Sequence, residues 1–379
     1  MKILHVISDS NIGGAGVLLL NTLRHRDKYK FDVSVVMPKG AELEERVKEL
    51  GCKVITTEYG RDKSFDRNAV KELKIIIKEE KPDILHTHAS LSARIAGRKC
   101  RTPLIFMTHH CAVVPPKYKT VFPMKNLLGM INNHYSDRIV ATAEAAKNIL
   151  VSMGTDPEKI TVIINGSEPM REVSIAEKES VRKELGLTEE NFIFSMIARL
   201  EPVKDHRTFI LAAAEASRTH PEMRFLIVGD GSLAQSLRAL ADDLGMSNKI
   251  IFAGFRQNVA PFLAISDVNV NCSFSETSCL AVSEGMSAGK SSVVSDCDGN
   301  IAMINDGENG LVFERENSEM LATAMITLCE NRELCARMGE SAKTAFENKY
   351  TAEKMTKTLE ALYEKEFNKK EKTNARCKS

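Results

Sequence analysis

The stretch Asn271–Asp296, NCSFSETSCLAVSEGMSAGKSSVVSD, contains the order of elements that decides the fold. A strand is predicted to enter it at 268–271, a polar loop follows, and a helix is predicted from Cys279 to Ala288 before Gly289 ends it. A second β-branched run, 292–295, comes directly afterwards. Because the first N–H groups of a helix have no partners within it, a strand, a polar loop and a helix in this order indicate an anion-binding site.

Two carboxylates, Glu276 and Glu284, lie on either side of the predicted N-terminus of this helix. Eight helical residues rise about 12 Å, so the two acids are too far apart to act on one atom. They would fit the two ends of an elongated ligand. A capped surface helix with two solvated acids is the alternative that this stretch alone leaves open.

Length and composition restrict the class of protein. At 379 residues the chain is longer than one hydrophobic core usually extends, which predicts two domains. Lys and Arg together number 52 and Asp and Glu 51, which argues against a nucleic-acid partner held by overall charge. No run approaches the roughly 18–20 apolar residues of a membrane span, and the N-terminus does not read as a signal peptide. Nine scattered cysteines without metal-binding spacing predict reduced thiols, no disulfide and no structural zinc in a cytoplasmic protein.

Predicted strands and helices alternate along both halves of the chain, a pattern typical of parallel βαβ units. In the first half we predict strands at 2–7, 31–37, 53–57, 83–86, 104–108, 137–141 and 160–164, and helices at 17–23, 41–50, 67–80 and 143–153. In the second half we predict strands at 192–197, 224–228, 249–252, 267–271, 292–295 and 311–313, and helices at 207–219, 232–244, 279–288, 319–329, 332–349 and 352–367. The polar stretch 167–183 would join the halves. The fold class is therefore α/β, with two doubly wound units.

Two glycine-rich segments resemble nucleotide-binding motifs without matching them. The loop with Gly14 and Gly16 follows the first strand and lets a ligand approach the backbone closely. It lacks the G-x-G-x-x-G spacing and an acid placed for a ribose, which argues against a dinucleotide-binding site. The segment 285–291 lacks one residue of a Walker loop and ends a helix where a P-loop begins one, so we exclude a P-loop.

Ligands of open α/β sheets bind at the carboxyl ends of the strands, where the second half of the chain collects cations and glycines. Arg199 and Lys204 follow the strand 192–197, and each would donate charge-assisted hydrogen bonds of about 1.5–3 kcal/mol to a diphosphate. The next three strands are followed by small, aromatic or acidic residues, namely Gly229, Asp230, Gly231, Gly254, Phe255 and Glu276. A solvated Arg and Lys is the alternative, but the agreement of four loops favours a phosphate ligand.

Together these motifs resemble those of the retaining GT-B glycosyltransferases of family four, also called glycosyl transferases group 1. The mark of that family is a pair of glutamates with seven residues between them, here Glu276 and Glu284, preceded by an R-x4-K motif, here Arg199 and Lys204. Weaker matches in the first half are the glycine loop 13–16, HTH at 86–88, T-x-H at 108–110, SDRIVATAE at 136–144 and INGSE at 164–168. Their order and spacing make the resemblance specific over most of the chain.

The resemblance implies a GT-B architecture, in which two doubly wound Rossmann-like domains face each other across a cleft. The acceptor-side domain would extend over 1–168 and the nucleotide-sugar-binding domain over 169–348. A C-terminal helix at 349–367 would pack back on the first domain. The basic tail 368–379 has nothing apolar to bury and is predicted to be disordered.

The resemblance also implies roles for individual residues of the second domain. Arg199 and Lys204 would hold the donor diphosphate and stabilise the departing nucleotide. Glu276 would face the donor sugar, and Glu284 would contact the ribose hydroxyls. The remaining positions, from both domains, would line the donor and acceptor pockets: Gly14, Gly16, Gly229, Gly231, Phe255, Arg256, Ser278, Cys279 and Leu280.

Four histidines of the first half are candidates for a sugar contact. His110, or else its neighbour His109, matches the family's histidine near the sugar and would belong to the catalytic set. His86 and His88 end a predicted strand, where a histidine is often a satisfied structural residue, so a structural role is favoured for both.

The implied reaction transfers a hexose or similar sugar, with retention of the anomeric configuration, from a UDP- or GDP-linked donor to a glycan or lipid-linked acceptor. The Arg/Lys pair would stabilise the charge that develops on the leaving phosphate, so neither a metal ion nor a further cofactor is expected. Such bacterial enzymes make cell-surface polysaccharides or glycolipids, which implies a cytoplasmic protein that can work at the inner face of the membrane. Basic residues within 94–101, beside an apolar stretch, and the lysines of 115–130, among aromatic residues and Met, predict contact with an anionic membrane. A solvated basic face fits them equally.

The sequence departs from the family pattern where the substrate would bind. Cys272 stands where proline is usual, 277–279 is Thr-Ser-Cys instead of Gly-Phe-Gly, Asp298 replaces the first glycine of a Gly-Gly pair, and Ala302 replaces a glutamate. These changes affect the sugar and acceptor pockets rather than the reaction class. The pattern of acidic residues typical of a non-hydrolysing sugar-nucleotide epimerase is not found in this sequence, which argues against that class. A glycogen or starch phosphorylase-like enzyme would need a longer chain and a lysine that binds pyridoxal phosphate. An inactive sugar-nucleotide-binding or scaffold subunit stays open as an alternative.

Overall fold

The computed structural model describes residues 1–88, 90–110, 115–277 and 279–376 of the chain. The chain divides into two units by its internal contacts. The first comprises Met1–Glu168 together with Ala352–Ser379, and the second Pro169–Thr351. Each unit is built on one parallel sheet with helices between its strands.

The first unit contains seven parallel strands. They are β1 (Lys2–Ile7), β2 (Asp32–Pro38), β3 (Lys53–Thr57), β4 (Ile84–His88), β5 (Leu104–His109), β6 (Arg138–Ala141) and β7 (Ile160–Val162). Its helices are α1 (Gly14–His25), α2 (Glu44–Glu49), α3 (Arg67–Glu80), α4 (Leu91–Lys99), α5 (Met124–Tyr135), α6 (Glu144–Ser152) and α15 (Ala352–Arg376). The strand order β3-β2-β1-β4-β5-β6-β7 makes β1 and β4 neighbours, so the direction of winding reverses between them.

The second unit contains six parallel strands. They are β8 (Phe192–Ile197), β9 (Met223–Val228), β10 (Ile250–Gly254), β11 (Val268–Asn271), β12 (Ser291–Ser295) and β13 (Gly310–Phe313). Its helices are α7 (Ile175–Leu185), α8 (His206–Ala216), α9 (Ala234–Asp243), α10 (Ala260–Ile265), α11 (Leu280–Ser287), α12 (Asp298–Ile301), α13 (Ser318–Glu330) and α14 (Arg332–Ala345), which a π-helical turn, Phe346–Tyr350, extends. The order β10-β9-β8-β11-β12-β13 places the reversal of winding between β8 and β11.

Helices cover both faces of each sheet, so the strands are mostly apolar runs rather than alternating ones. In the second unit Phe194 of β8 and Phe225 of β9 pack with Phe209 of α8 in one buried cluster. In the first unit α15 contributes Leu359 and Tyr363 to the cluster that contains Ile3 and Ile7 of β1. The C-terminal helix is therefore part of the first unit's core.

The alternating strands and helices of the sequence prediction are present, with differences at four helices, at α7 and in the C-terminal tail. The helices α4, α5, α10 and α12 were not predicted. Helix α10 consists of six apolar residues, too few to show a helical period, and the other three bury few apolar side chains. Helix α7 begins inside the polar stretch that was predicted only as a junction, and its capping box, in which Ser174 and Glu177 bond reciprocally, is the sequence signal for it. None of the described helices is long and apolar enough to span a bilayer.

The tail 368–379 was predicted to be disordered, whereas the structure describes 368–376 as helical. Helix α15 continues to Arg376, and 377–379 lie outside the described residues. Lys and Glu, which dominate 368–372, have high helix propensity, and extension of an existing helix avoids the cost of nucleation. Low apolar content therefore did not prevent helix formation here.

Candidate active site

The reversal of winding in the second unit brings together the loops after β8 and β11. The Phe274 N–H donates to the Val203 carbonyl over 2.9 Å, which ties the two loops directly. In doubly wound sheets such a switch point leaves a crevice at the carboxyl ends of the strands. All four residues that carry the glutamate pair and the R-x4-K motif belong to these loops or to α11, which follows the second of them.

Lys204 and Glu276 form an ion pair across these loops. The Lys204 Nζ donates to Glu276 Oε1 over 2.5 Å, and the Ser273 hydroxyl donates to the same oxygen over 2.7 Å. The two side chains are 19% and 13% exposed, so solvent screens their interaction only partly. The cation and the acid were predicted to have separate roles, whereas the structure pairs them in one preorganised group.

A buried polar network supports the loop that carries Glu276. The Ser295 hydroxyl of β12 donates to the Ser273 carbonyl over 2.7 Å. The Asn300 side chain donates to the Ser295 carbonyl over 3.1 Å and to Asn271 Oδ1 over 3.0 Å. These serine and asparagine side chains therefore fix the loop by hydrogen bonds. Leaving any of these buried polar groups without a partner would cost free energy, so the network stays paired.

Asp298 and Gly299 stand where the family usually has two glycines, and glycine is retained at 299, the position where the backbone requires it. A Cβ atom at Gly299 would lie 2.5 Å from the Glu276 carbonyl oxygen. The Gly299 backbone and the Glu276 backbone are thus in direct contact. Replacement of the first family glycine by Asp298 leaves this contact in place.

Arg199 lies in the loop after β8 and is exposed. Among the described residues its guanidinium has no hydrogen-bond or ionic partner, so its charge is available to a ligand. The loop is held by the turn after β9, because the Leu200 N–H donates to the Asp230 carbonyl over 3.0 Å.

Gly229 and Gly231 allow this turn to pack against the Arg199 loop. A Cβ atom at Gly229 would lie 2.0 Å from the Ala198 oxygen, and one at Gly231 would lie 2.5 Å from the Leu200 oxygen. Both glycines are therefore required by loop packing whether or not a nucleotide contacts them.

Glu284 lies on α11 and is half-buried. Burial raises the pKa of its carboxyl group to about 7. Among the described residues the carboxyl group has no hydrogen-bond partner, and its half-buried position leaves it accessible to a ligand. A ligand that offers hydroxyl groups would satisfy it.

The N-terminus of α11 has no side-chain cap and no acidic residue in its first turn. Cys279, at the N-cap position, is buried and its sulfur accepts from the Asn271 side chain over 3.0 Å. Leu280 begins the helix, and Ser278 lies outside the described residues. The N–H groups of the first turn, which have no carbonyl partner within the helix, are suited to bind a phosphate.

Phe255 and Arg256, after β10, have different environments. The Phe255 side chain is 75% exposed. The Arg256 guanidinium pairs with Glu184 of α7 and lies over the Phe262 ring, 4.9 Å from its centroid. The Arg256 side chain is therefore used within the unit, and only its backbone is available for the predicted nucleotide contact.

In the first unit, α1 begins at Gly14 without a side-chain cap. A Cβ atom at Gly14 would meet nothing within 4 Å, whereas one at Gly16 would lie 3.1 Å from Leu43. Packing within the unit therefore accounts for glycine at 16 but not at 14.

Four histidines of the first unit lie on one face of its sheet. Parallel register pairs His5 with His86 and His88 with Thr108, and His110 follows Thr108 by two residues. His88 Nδ1 and His110 Nε2 are 3.1 Å apart, and His88 Nε2 and His5 Nδ1 are also 3.1 Å apart. His109 precedes His110 at the end of β5, where alternation points its side chain to the other face.

His5 was not predicted, although the alternation of side chains in neighbouring strands would have placed it beside His86. His86 fits the predicted structural role, because its two ring nitrogens bond to Tyr363 of α15 and to Thr108. His88 instead connects His110 to His5. Burial lowers the pKa of all four rings, to about 3 for His5 and about 4 for His110.

The basic residues predicted to face a membrane fall into two groups. Arg94 is buried and donates to Asn132 and Ser136, and Arg98 pairs with Asp137 over 3.0 Å, so these two cations are structural. The segment 117–130 is different, because five of its apolar residues are exposed: Tyr118, Val121, Phe122, Leu127 and Met130.

Within the described residues, no group of three His, Cys, Asp or Glu side chains could hold a metal ion.

Two α/β units with parallel sheets, the second with paired acids and cations at its switch point, define a GT-B glycosyltransferase. The family model described as glycosyl transferases group 1 matches residues 177–345, and the model described as glycosyltransferase family 4 matches residues 12–171. The chain belongs to these group 1/family 4 glycosyltransferases.

Relatives of known name agree with this assignment. The chain is 26% identical over 374 residues to UDP-Gal:alpha-D-GlcNAc-diphosphoundecaprenol alpha-1,3-galactosyltransferase of Escherichia coli, with 96% of each chain covered. It is 25% identical over 371 residues to alpha-monoglucosyldiacylglycerol synthase of Acholeplasma laidlawii, with 92% of this chain and 89% of the relative covered. The crystal structure of Anabaena HepE in complex with UDP has the same fold, with a TM-score of 0.84, 20% identity, and coverage of 96% of this chain and all of HepE.

Proposed function

We propose that this glycosyltransferase moves a hexose from a UDP-linked donor to a lipid-linked or glycolipid acceptor, with retention of configuration. The Lys204–Glu276 ion pair, fixed where the loops after β8 and β11 meet, is the observation that carries the proposal. Two similar proteins are named for transfer to a diphosphoundecaprenol-linked sugar and for a glucosyldiacylglycerol product, and both names specify an alpha linkage. GDP-linked donors are the alternative to be tested alongside UDP-linked ones.

The proposed chemistry depends on where charge develops. As the anomeric bond breaks, the sugar gains positive charge and the departing diphosphate gains negative charge. Arg199, which is exposed and unpaired among the described residues, and Lys204 would bind the diphosphate, and Glu276 would keep Lys204 in position and face the sugar. The leaving phosphate would take the acceptor's proton on the same face, so neither glutamate acts as a covalent nucleophile.

The cations supply the leaving-group stabilisation that a divalent metal would otherwise provide, so we propose that transfer is metal-independent. Glu284 would accept from the ribose hydroxyls, and the first turn of α11 would bind a phosphate. In the first unit, Gly14 would leave space for the substrate, and His110 would contact the sugar.

Contact with an anionic membrane is also proposed, through the segment 117–130. Within α5 only Gly129 is buried, and the exposed Phe122, Leu127 and Met130 accompany Lys117, Lys119 and Lys125. Apolar side chains can enter the interface of a bilayer while the lysines bind acidic headgroups. Such contact would bring the protein to a lipid-linked acceptor.

The test is nucleotide release from a panel of UDP- and GDP-sugars, with and without undecaprenyl-diphosphate sugars and diacylglycerol. We expect UDP release that depends on both a UDP-hexose and a lipid acceptor, an alpha-linked product, and the same rate with a metal chelator. Donor binding without turnover over the whole panel would instead support an inactive sugar-nucleotide-binding subunit. A beta-linked product, or activity abolished by the chelator, would contradict the proposed mechanism.

The role of Lys204 is tested by Lys204→Ala. Loss of a preorganised charge at the leaving group should lower kcat by about 10²–10³, with a smaller change in KM for the donor. Arg207→Ala, which removes an exposed cation three residues away, is the matched control and should leave kcat unchanged. Wild-type kcat in Lys204→Ala would exclude the proposed role.

A further inference from the structure

Three imidazoles of the first unit, of which those of His5 and His88 are buried and that of His110 is half-buried, form one continuous hydrogen-bonded chain. It runs from His110 Nε2 to His88 Nδ1 and from His88 Nε2 to His5 Nδ1, with 3.1 Å in each link. The rings are also stacked, with centroids 5.3 Å apart for His88 and His110 and 5.4 Å apart for His5 and His88. The residues come from the ends of β4 and β5 and from the middle of β1, which are adjacent strands.

The protonation of the chain is restricted by burial. Burial lowers the pKa of His5 to about 3, that of His110 to about 4, and that of His88 well below its ordinary value. Near neutral pH each ring is therefore neutral and carries one N–H, on either Nδ1 or Nε2.

The two links make the three tautomers interdependent. If His5 Nδ1 donates to His88, then His88 Nδ1 must donate to His110, and the proton of His110 is on Nδ1. If His110 Nε2 donates to His88, then His88 Nε2 must donate to His5, and Nδ1 of His110 carries no proton. A mixed arrangement places two N–H groups, or two lone pairs, against each other in a buried site.

We propose that His88 and His5 are positioning residues that set which ring nitrogen of His110 carries the proton. The proposal extends the proposed function, in which His110 contacts the donor sugar. The tautomer decides whether Nδ1 of His110 is a hydrogen-bond donor or an acceptor. His5 would thus influence the sugar contact through His88 without contacting the substrate.

The far end of the chain has a site for a water molecule. His5 and His88 line a cavity of about 20 Å³, which is enough for one water. Asn165 lines it too, and its Oδ1 is buried without a hydrogen-bond partner among the described residues. A water between His5 and Asn165 would complete the chain and favour one of its two directions.

The tautomer of His110 can be measured without substrate. Long-range proton–nitrogen correlation spectra of the full chain labelled with ¹⁵N-histidine, at pH 7.5, distinguish protonated from bare ring nitrogens, and His110→Gln assigns the signal. We expect a single tautomer in the wild type. His88→Phe, which removes both links, and His5→Phe, which removes only the remote one, should each change the ratio of the two His110 tautomers.

His86→Gln is the matched control for these variants. His86 is equally buried and its ring stacks on both His5 and His88, but its nitrogens bond to Tyr363 and Thr108, outside the chain. The His110 tautomer should be unchanged in it. If His88→Phe does not fold, His88→Asn keeps an amide near the Nδ1 position and loses the link to His5, so it should behave like His5→Phe.

An averaged signal in the wild type, or an unchanged tautomer in both His5→Phe and the His88 variant, would overturn the proposal. Because the spectra are recorded on ligand-free protein, this outcome is independent of whether the proposed transfer occurs. In the transfer assay, His5→Phe should lower kcat by about tenfold or more, with little change in donor KM. Equal kcat for His5→Phe and His86→Gln would contradict the link between tautomer and turnover.

Discussion

Glu276 shows how a single side chain can serve more than one purpose. It accepts from Lys204 and from Ser273, and its backbone contacts Gly299. The acid therefore fixes both the cation and the loop that carries it. In the resemblance-based assignment it had only one partner, the donor sugar.

Glu284 should make donor binding depend on pH. Its pKa is raised to about 7, so it is mostly protonated at pH 6 and mostly ionised at pH 8. If the ribose hydroxyls donate to the Glu284 carboxylate, donor binding lowers the pKa of this group. The affinity for the donor should then rise up to about tenfold from pH 6 to pH 8 and stay constant at higher pH. Calorimetric titration of UDP-glucose, or of whichever UDP-hexose the panel selects, would measure it.

Glu284→Gln is the control for this dependence. The amide cannot ionise, so the affinity should be weaker at pH 8 and the same at pH 6. A slope that persists in Glu284→Gln would mean that another group titrates, and a flat wild-type profile would argue against the ribose contact.

Two glycine substitutions should separate packing from ligand contact. Gly299→Ala places a methyl group 2.5 Å from the Glu276 oxygen and should lower stability by roughly 1–3 kcal/mol, because the loop must shift. Gly14→Ala meets no atom within 4 Å and, at the start of a helix, should leave stability unchanged or slightly higher. Denaturant unfolding would measure both.

The transfer assay completes this comparison. Gly14→Ala should lower activity although the protein is fully folded, since the methyl group would occupy space proposed for substrate. Full activity in Gly14→Ala would show that this space is not used.

Among the described residues of α5 only Gly129 is buried, and Leu127 and Met130 are exposed. This helix should contribute to binding of vesicles that contain an acidic phospholipid. Phe122→Ser, and separately the replacement of Lys117, Lys119 and Lys125 by Gln, should each reduce co-sedimentation with such vesicles by several-fold.

The matched control for the apolar change is Ile75→Ser on α3, where the side chain is 60% exposed outside this segment. It should bind vesicles like the wild type. High salt should weaken binding of the wild type, because the lysine contribution is screened. Equal sedimentation of all variants would contradict a membrane role for the segment.

Taken as a whole, the protein should lose stability as the pH falls below about 6.5. His5 and His110 have folded-state pKa values of about 3 and 4, and His206 in the second unit about 4, whereas histidines in the unfolded chain titrate near 6.5. The unfolded state therefore binds more protons between pH 6.5 and 4, and each such histidine costs about 1.4 kcal/mol per pH unit there.

Unfolding temperatures at pH 7.5, 6.5 and 5.5 would check this prediction. The midpoint should change little between the first two values and fall clearly at the third. His206→Asn should reduce the fall, whereas the exposed His134→Asn should not. A constant midpoint down to pH 5.5 would contradict the lowered pKa values.

Local patterns were sufficient to predict most of the fold. Buried parallel strands are contiguous apolar runs, so β1 and β8 were predicted with their observed bounds. Helices with one apolar face were predicted from apolar residues that recur every three to four positions. The helices α4 and α5 were missed because little of their surface is apolar and buried. The group 1 family was also recognisable, because the residues within each of its two motifs, R-x4-K and the paired glutamates, are close in sequence.

The sequence by itself thus determined the alternating α/β class, the family and the four charged residues of the candidate site. Only the tertiary structure decided which of them are partners: Lys204 with Glu276, and His110 with His88 and His5. It also decided that Arg94 is buried while Phe122 is exposed. The physical reason is that these contacts join strands that are distant in sequence, and strand order and burial are properties of the packed chain rather than of any local pattern.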